Sequence, residues 1–178
     1  MSVPIRHRPA VAEPASQAIE DLYRAHGLVL VRFALLLVGD QPTAEDVVQD
    51  AFLGLHRNWR RGSDPANLPA YLRTAVLNAA RSAVRARIRR QALTLRAARH
   101  DPPAWSAEAV VMAGQDSQAL LASVARLPRR QREVLGLRYF LELSEKEIAE
   151  TMGITRGTVA STTARALKAL ARQLTEEQ

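Results

Sequence analysis

Arg156, Thr158, Ser161, Thr162 and Arg165 fall at helical spacing just after a Gly-Ile-Thr turn. Hydroxyl and guanidinium groups spaced in this way put hydrogen-bond donors along one side of a helix, and Arg can bridge two acceptors at once. That is the chemistry of recognition rather than of bond-making. The chain has no cysteine, and its four histidines (His7, His26, His56 and His100) are scattered, with no His/carboxylate cluster at metal-ligand spacing. No Gly-rich phosphate loop occurs. Disulfides, thiolate zinc sites and a cysteine nucleophile are thereby excluded, and a reducing cytoplasm fits.

Two helices must position those donors. The stretch Ser144–Leu170 reads SEKEIAETMGITRGTVASTTARALKAL. Ser144 with Glu147 three residues on supplies both polar partners of a capping box. Ile148 and Ala149 face inward, and Gly153 stands where the first helix stops and the chain needs a positive φ. Ile154 plugs the turn, Thr155 caps the second helix, and Val159 is its first buried residue. This is helix-turn-helix spacing, and it presents the second helix to the major groove of duplex DNA.

Charge supports a polyanionic partner. The 178 residues carry a net charge of +7, and its location is the informative part. Residues 56–99 hold eleven Arg against one acid, Asp64, whereas residues 1–55 hold four basic against seven acidic and residues 100–178 ten against ten. A basic segment between neutral or acidic ones is an electrostatic footprint for nucleic acid. A merely solvated face would mix both signs. Met1–Ser16 lacks the apolar core of a signal peptide. The longest apolar run, Leu28–Val38, is interrupted by Arg32 and at eleven residues is too short to span a bilayer; it reads as a buried helix.

Alanine, leucine and arginine dominate and strand-like alternation is scarce, so the expected class is all-α. Residues 1–15 read as a disordered tail. A first helix is expected from Ser16 to Val38 and a turn over 39–42. A second helix follows, capped by Thr43 with Asp46 as its box partner. It buries Val47, Val48, Ala51, Phe52, Leu55 and Trp59 and shows Glu45, Asp46, Gln49 and Asp50. A long helix over 70–90 buries Tyr71, Leu72, Ala75, Val76 and Ala79. It carries Asn78, Arg81, Arg85 and Arg89 along one exposed stripe. Residues 91–116 lose periodicity, contain Pro102-Pro103, and read as a flexible linker. The result is two small helical domains, residues 16–90 and 117–178, the second holding the helix-turn-helix.

This layout resembles the bacterial sigma factors of the extracytoplasmic-function group, the minimal relatives of the sigma-70 family. Two separate stretches carry the resemblance: AEDVVQDAFLGLHRNW (Ala44–Trp59), an acidic-Gln-acidic helix ending in an aromatic, and LPRRQREVLGLRYFLELSEKEIAETMGITRGTVASTTARALKAL (Leu127–Leu170). Their order, with a linker between them, makes it specific. The Arg-over-Lys, Ala-rich composition hints at a GC-rich genome, which sets the chain beside the actinobacterial sigma-E-like subgroup.

The resemblance implies an initiation subunit that binds core RNA polymerase, chooses promoters and helps open DNA. It would act in the cytoplasm as a non-enzyme, with no cofactor, metal, membrane or small-molecule substrate. Asp46, Gln49 and Asp50 would dock on the polymerase. Arg60, Arg61, Asn67, Asn78, Arg81 and Arg85 would meet the minus-ten element, partly as single strand, where unstacking a base costs a few kcal/mol. Arg87, Arg89 and Arg90 would hold phosphates. Arg129, Thr155, Arg156, Thr158, Ser161, Thr162 and Arg165 would contact the minus-thirty-five duplex. An anti-sigma factor is the usual control in the family and so a candidate partner. Ala160 stands where the family usually has a basic residue and Ser82 where it often has Asp, which points to an altered promoter sequence. The alternative is a stand-alone helix-turn-helix regulator, which has no use for an acidic docking helix ahead of a basic one. In the family the linker threads toward the polymerase active centre. Halving residues 91–115 should therefore impair initiation more than promoter binding in matched transcription and gel-shift assays. An equal loss in both would remove that role.

Overall fold

The computed structural model describes residues 12–60, 67–94 and 122–176. Among these, every regular element is a helix. They are α1 (Ala12–Val38), α2 (Gln41–Arg60), α3 (Leu68–Thr94), α4 (Arg129–Leu135) running into a π-helical turn (Gly136–Phe140), α5 (Glu145–Met152) and α6 (Arg156–Glu176). Residues 122–125 add a further helical turn. The expected tail over 1–15 and linker over 91–116 are cut back at their inner ends, since α1 already covers residues 12–15 and α3 runs on to Thr94; residues 1–11 and 95–121 lie outside the described residues.

Three helix starts differ from the sequence expectation, for one reason, with α3 beginning at Leu68 rather than at residue 70. Pro14, Pro42 and Pro69 all sit within the first three residues of α1, α2 and α3. First-turn N–H groups have no intrahelical acceptor, so a proline costs nothing there. Helix α1 therefore begins at Ala12 rather than Ser16. Helix α2 begins at Gln41, inside the expected turn, and its cap is Asp40 rather than Thr43: the Thr43 N–H donates to Asp40 Oδ1 at 2.9 Å.

The C-terminal half of α1 organises the core. Leu30 and every residue from Phe33 to Val38 are buried. A helix apolar on all sides needs cover on all sides. On one side α2 and α3 supply it, through Val47, Val48, Ala51, Phe52, Leu55, Leu72, Val76 and Leu77. On the other side Leu36 packs with Val124, Leu127, Leu135, Ala166 and Leu170. Val134, Leu137, Ile148 and Val159 join the same core as α1–α3. The two expected units thus share apolar packing. Gly136 allows a close approach there: a Cβ on it would stand 2.8 Å from Phe33 Cε2 and 3.0 Å from Leu36 Cδ2. Each fully buried Leu or Phe contributes about 1.5–3 kcal/mol, so this seam outweighs any single polar contact across it.

Polar ties supplement the packing. The Asn58 carboxamide donates to Tyr71 Oη at 2.9 Å, joining α2 to α3. Arg87 Nη1 donates to the Val38 carbonyl at 2.8 Å, covering an open acceptor at the end of α1. A cleft of about 320 Å³ opens at the seam, between His26, Arg73 and Phe140.

The helix-turn-helix matches its sequence signature atom by atom. The Glu147 N–H donates to Ser144 Oγ at 3.3 Å, and the Ser144 N–H donates to Glu147 Oε2 at 2.9 Å. Gly153 takes φ 65°, ψ 41°, the left-handed end that suits a residue without Cβ. The Thr158 N–H donates to Thr155 Oγ1 at 3.2 Å. Hydrogen bonds from the Ser144 backbone, then from its hydroxyl, hold the Glu147 carboxyl below its ordinary range. A depressed carboxyl adds stability that is present above its unfolded pKa and is lost as pH falls through the folded one. Ser144→Ala should therefore cost about 0.5–2 kcal/mol at neutral pH, and the gap from the parent should narrow in acid. Urea unfolding at the two pH values measures both, and a gap that stays constant would contradict this account.

Candidate nucleic-acid and polymerase interface

Asp46, Gln49 and Asp50 are all exposed on α2, with Glu45 beside them. Leu53 is 54% exposed, and at three and four residues after Asp50 and Gln49 it shares their face. Sequence reasoning passed over it, although its spacing would have placed it there. An acidic strip ending in an uncovered leucine is built to meet a basic, partly apolar surface.

The basic side lies on α3. Asn78, Arg85, Arg89 and Arg90 are exposed, and Arg85 Nη2 donates to Ser82 Oγ at 3.0 Å. Arg87 is turned inward, on the Val38 carbonyl and 3.6 Å from Asp40. Asn67 serves α3 as its cap, accepting from the Ala70 N–H at 3.0 Å, and remains exposed. The side chain of Arg60 and the whole of Arg61 lie outside the described residues.

Arg81 has a partner that the sequence did not suggest. Its Nε and Nη2 donate to the two carboxylate oxygens of Glu133 at 2.9 and 2.8 Å, across 52 positions of chain. Glu133 is 1% exposed. This hydrogen bond is the main cause that raises the Arg81 pKa, so the guanidinium is firmly cationic. Arg129 Nε approaches the same carboxylate at 3.5 Å. Next to them Arg132 is 7% exposed, and its Nε and Nη1 have no hydrogen-bond partner among the described residues. Burial lowers the Arg132 pKa, with Glu133 opposing that and Arg87 adding to it. A buried ion pair gains little net stability, but losing one partner strands the other.

On α6, Arg156, Ser161 and Arg165 are exposed and Thr158 is half-buried. Thr155 is exposed but committed to its cap. Thr162 corrects the sequence reading: it is 5% exposed, not on the groove-facing side. It falls three residues after Val159 and four before Ala166, both fully buried, so it belongs to the core stripe of α6. Its hydroxyl made it look like a donor, but its position makes it a small core residue.

Comparison with known proteins bears on this arrangement. Residues 22–90 match the family Sigma-70 region 2, and residues 117–170 match Sigma-70, region 4. The chain is 31% identical over 170 residues to the ECF RNA polymerase sigma factor SigL of Mycobacterium tuberculosis, covering 94% of this chain and 93% of that one. The chain belongs to the sigma-70 family. More closely, it is an extracytoplasmic-function RNA polymerase sigma factor. It is also 30% identical over 155 residues to the RNA polymerase sigma-E factor of Streptomyces avermitilis, covering 87% of this chain and 84% of that one. Among solved structures it is similar to the sigma factor RpoE of Bartonella quintana, crystallised with the anti-sigma factor NepR. That likeness has a TM-score of 0.66 and 25% identity, over 89% of this chain and 99% of that one. CnrH, in complex with the cytosolic domain of CnrY, shares the fold at a TM-score of 0.66 and 22% identity, over 94% of this chain and 94% of that one. Among the described residues no helix of this sigma factor is long and apolar enough to cross a membrane.

If Thr162 is a core residue, Thr162→Val should leave both the melting temperature and the affinity for duplex DNA unchanged. Thr162→Arg should destabilise the fold by about 3–5 kcal/mol, because it buries an unpaired charge. Fluorescence anisotropy and thermal melting distinguish this from a base-reading Thr162, whose valine variant would fold normally and bind weakly.

Proposed function

We propose that this sigma factor docks on core RNA polymerase through Asp46, Gln49 and Asp50, with Leu53 adding apolar contact. It directs the enzyme to promoters and promotes opening with α3 at the minus-ten element and α6 at the minus-thirty-five element. The carrying observation is that an exposed acidic face, an Arg-lined helix and a fully capped helix-turn-helix occur together in one chain. A stand-alone regulator needs only the third. Opening would be driven by capture of unpaired bases rather than by a reaction, so the chain acts as a binding protein in the cytoplasm, with no cofactor. Since RpoE is seen with an anti-sigma factor, a protein of that kind is a candidate regulator here.

On α3, Asn78 and Arg85 offer exposed polar groups to single-stranded DNA, and Arg89 and Arg90 add phosphate contacts. Arg60, Arg61 and Asn67 frame the loop before α3 as candidates for base capture. Arg81 joins them once released from Glu133. On α6, Arg156, Ser161 and Arg165 supply the readout, with Thr158 and the N-terminus near Thr155 suited to a phosphate. Arg129 supports the backbone from α4. Arg165→Ala should weaken duplex binding by about 1–3 kcal/mol at a single base position if it reads a base, and uniformly across sequences if it holds phosphate.

The deciding experiment is size-exclusion co-elution with bacterial core RNA polymerase. The parent chain should co-elute and Asp50→Arg should not, while its melting temperature stays at the parent value because Asp50 is exposed. Binding that survives Asp50→Arg would move the docking surface elsewhere.

A further inference from the structure

Arg73 lines the cleft of about 320 Å³ between α1, the start of α3 and the turn that leaves the π-helix. Its side chain is only 17% exposed, yet it lacks the hydrogen bonds that buried polar groups ordinarily make. Its Nε is buried with no hydrogen-bond partner among the described residues. Its Nη2 stands 3.7 Å from Glu147 Oε1, beyond hydrogen-bonding reach. The other oxygen of that carboxylate is taken by the Ser144 N–H and hydroxyl, at 2.9 and 2.8 Å. Arg73 thus has an acid nearby but no bond to it. The rest of the lining is sorted by kind. His26 offers a second donor from α1, Leu30, Leu72 and Leu141 supply apolar wall, and Glu142 puts a carboxylate on the turn. Glu142 has φ 52°, a left-handed conformation that strains a residue with a Cβ. It lies two residues beyond the π-helical turn. Both irregularities are of the kind that collects where backbone is shaped around a function, and here they build one wall of one cleft.

We propose that this cleft binds a small amphipathic monocarboxylate, with its carboxylate on the Arg73 guanidinium and its apolar body against Leu30, Leu72 and Leu141. A carboxylate accepts two parallel N–H bonds from one guanidinium, and the leucines remove the hydrocarbon from water. Glu142 sets the charge limit: a second negative charge on the ligand would meet it, so phosphates are disfavoured. The volume is at the lower end of the roughly 300–1,000 Å³ of small-molecule sites, which suits a chain of medium length. None of these residues is among those assigned to polymerase docking or to DNA. The walls come from three elements, so a bound acid ties them together and stabilises the fold by mass action. The sigma factor thereby gains an input from a metabolite-sized molecule.

The full chain titrated with octanoate carrying carbon-13 in its carboxyl group tests the site, followed by the carbon resonance and by calorimetry. Octanol, octylamine and inorganic phosphate are the matched probes. Octanoate should bind saturably, about tenfold tighter than the alcohol or the amine, which is the margin of a paired charge. It should also raise the melting temperature. Arg73→Gln should erase the margin. Val29→Phe fills the cleft from a half-buried position on α1 and should remove octanoate and octanol binding alike. Circular dichroism identifies a variant that fails to fold, in which case the other decides. Equal affinity for octanoate and octanol would leave Arg73 to water and overturn the carboxylate. Phosphate binding as tightly as octanoate would overturn the amphipathic class. A folded Arg73→Gln protein that keeps the margin, or a folded Val29→Phe protein that still binds, would put octanoate elsewhere on a cationic chain and overturn the site. So would the absence of saturable binding by about 1 mM.

Discussion

The structure depends on one constraint: seven side chains of α1, Leu30, Phe33, Leu35, Leu36, Leu37, Val38 and the small Ala34, are all removed from water on a single helix end. No single neighbour can cover such a surface. Helices α2 and α3 close one side, and the remainder has to be covered by α4, the π-helical turn and the end of α6. The glycine in that turn, the shortened side chains of Ala166 and Ala34, and the Arg87 contact on the Val38 carbonyl all follow from bringing two bodies close to one helix. The π-helical geometry at Gly136–Phe140 falls at this crossing, where Leu141 N–H reaches back to the Gly136 carbonyl at 3.3 Å. Widened turns of this type collect where a helix must accommodate a constraint from outside itself.

Electrostatics then divides the surface. Helix α2 shows three exposed acids, Glu45, Asp46 and Asp50, and Gln41 donates to Glu45 within the same helix. The arginines of α3 divide into an outer set, Arg85, Arg89 and Arg90, and an inner set, Arg73, Arg81 and Arg87, that faces acceptors from α5, from α4 and from the end of α1. One basic helix therefore serves two purposes. Its outward charges give the long-range attraction that a polyanion feels first, and its inward ones fix where α4 lies.

What was legible in the sequence was local. Ser144, Glu147, Gly153 and Thr155 act on backbone groups within a few residues of themselves, so their spacing alone specified the hydrogen bonds that the structure contains. The buried face of α2 followed from helical periodicity for the same reason. Three features were not legible. Asp40 displaced Thr43 as a cap because a proline in the first turn is invisible to a reading that treats proline as a breaker. Thr162 carries a polar group, and composition alone assigned it to the outside, although its register with Val159 and Ala166 placed it inside. The Arg81–Glu133 pair joins residues that no local rule connects, and only the packing around α1 brings them together. The unbroken apolar stretch before Gly39 was the available hint, since a helix buried on one side alone would have alternated.

Helix α6 shows what this separation of faces permits. Val159, Thr162, Ala166 and Leu170 form one register, and Arg156, Ala160, Ser161 and Arg165 form another that touches solvent. The two sets share no position, and the turn before them is held by the left-handed Gly153 and the Thr155 cap rather than by that outer register. The outer register is consequently free to drift. Over generations a lineage could rewrite which nucleotides this helix prefers, one residue at a time, without repeatedly endangering the scaffold, so that a duplicated copy could acquire a new set of target genes while still folding as its parent does.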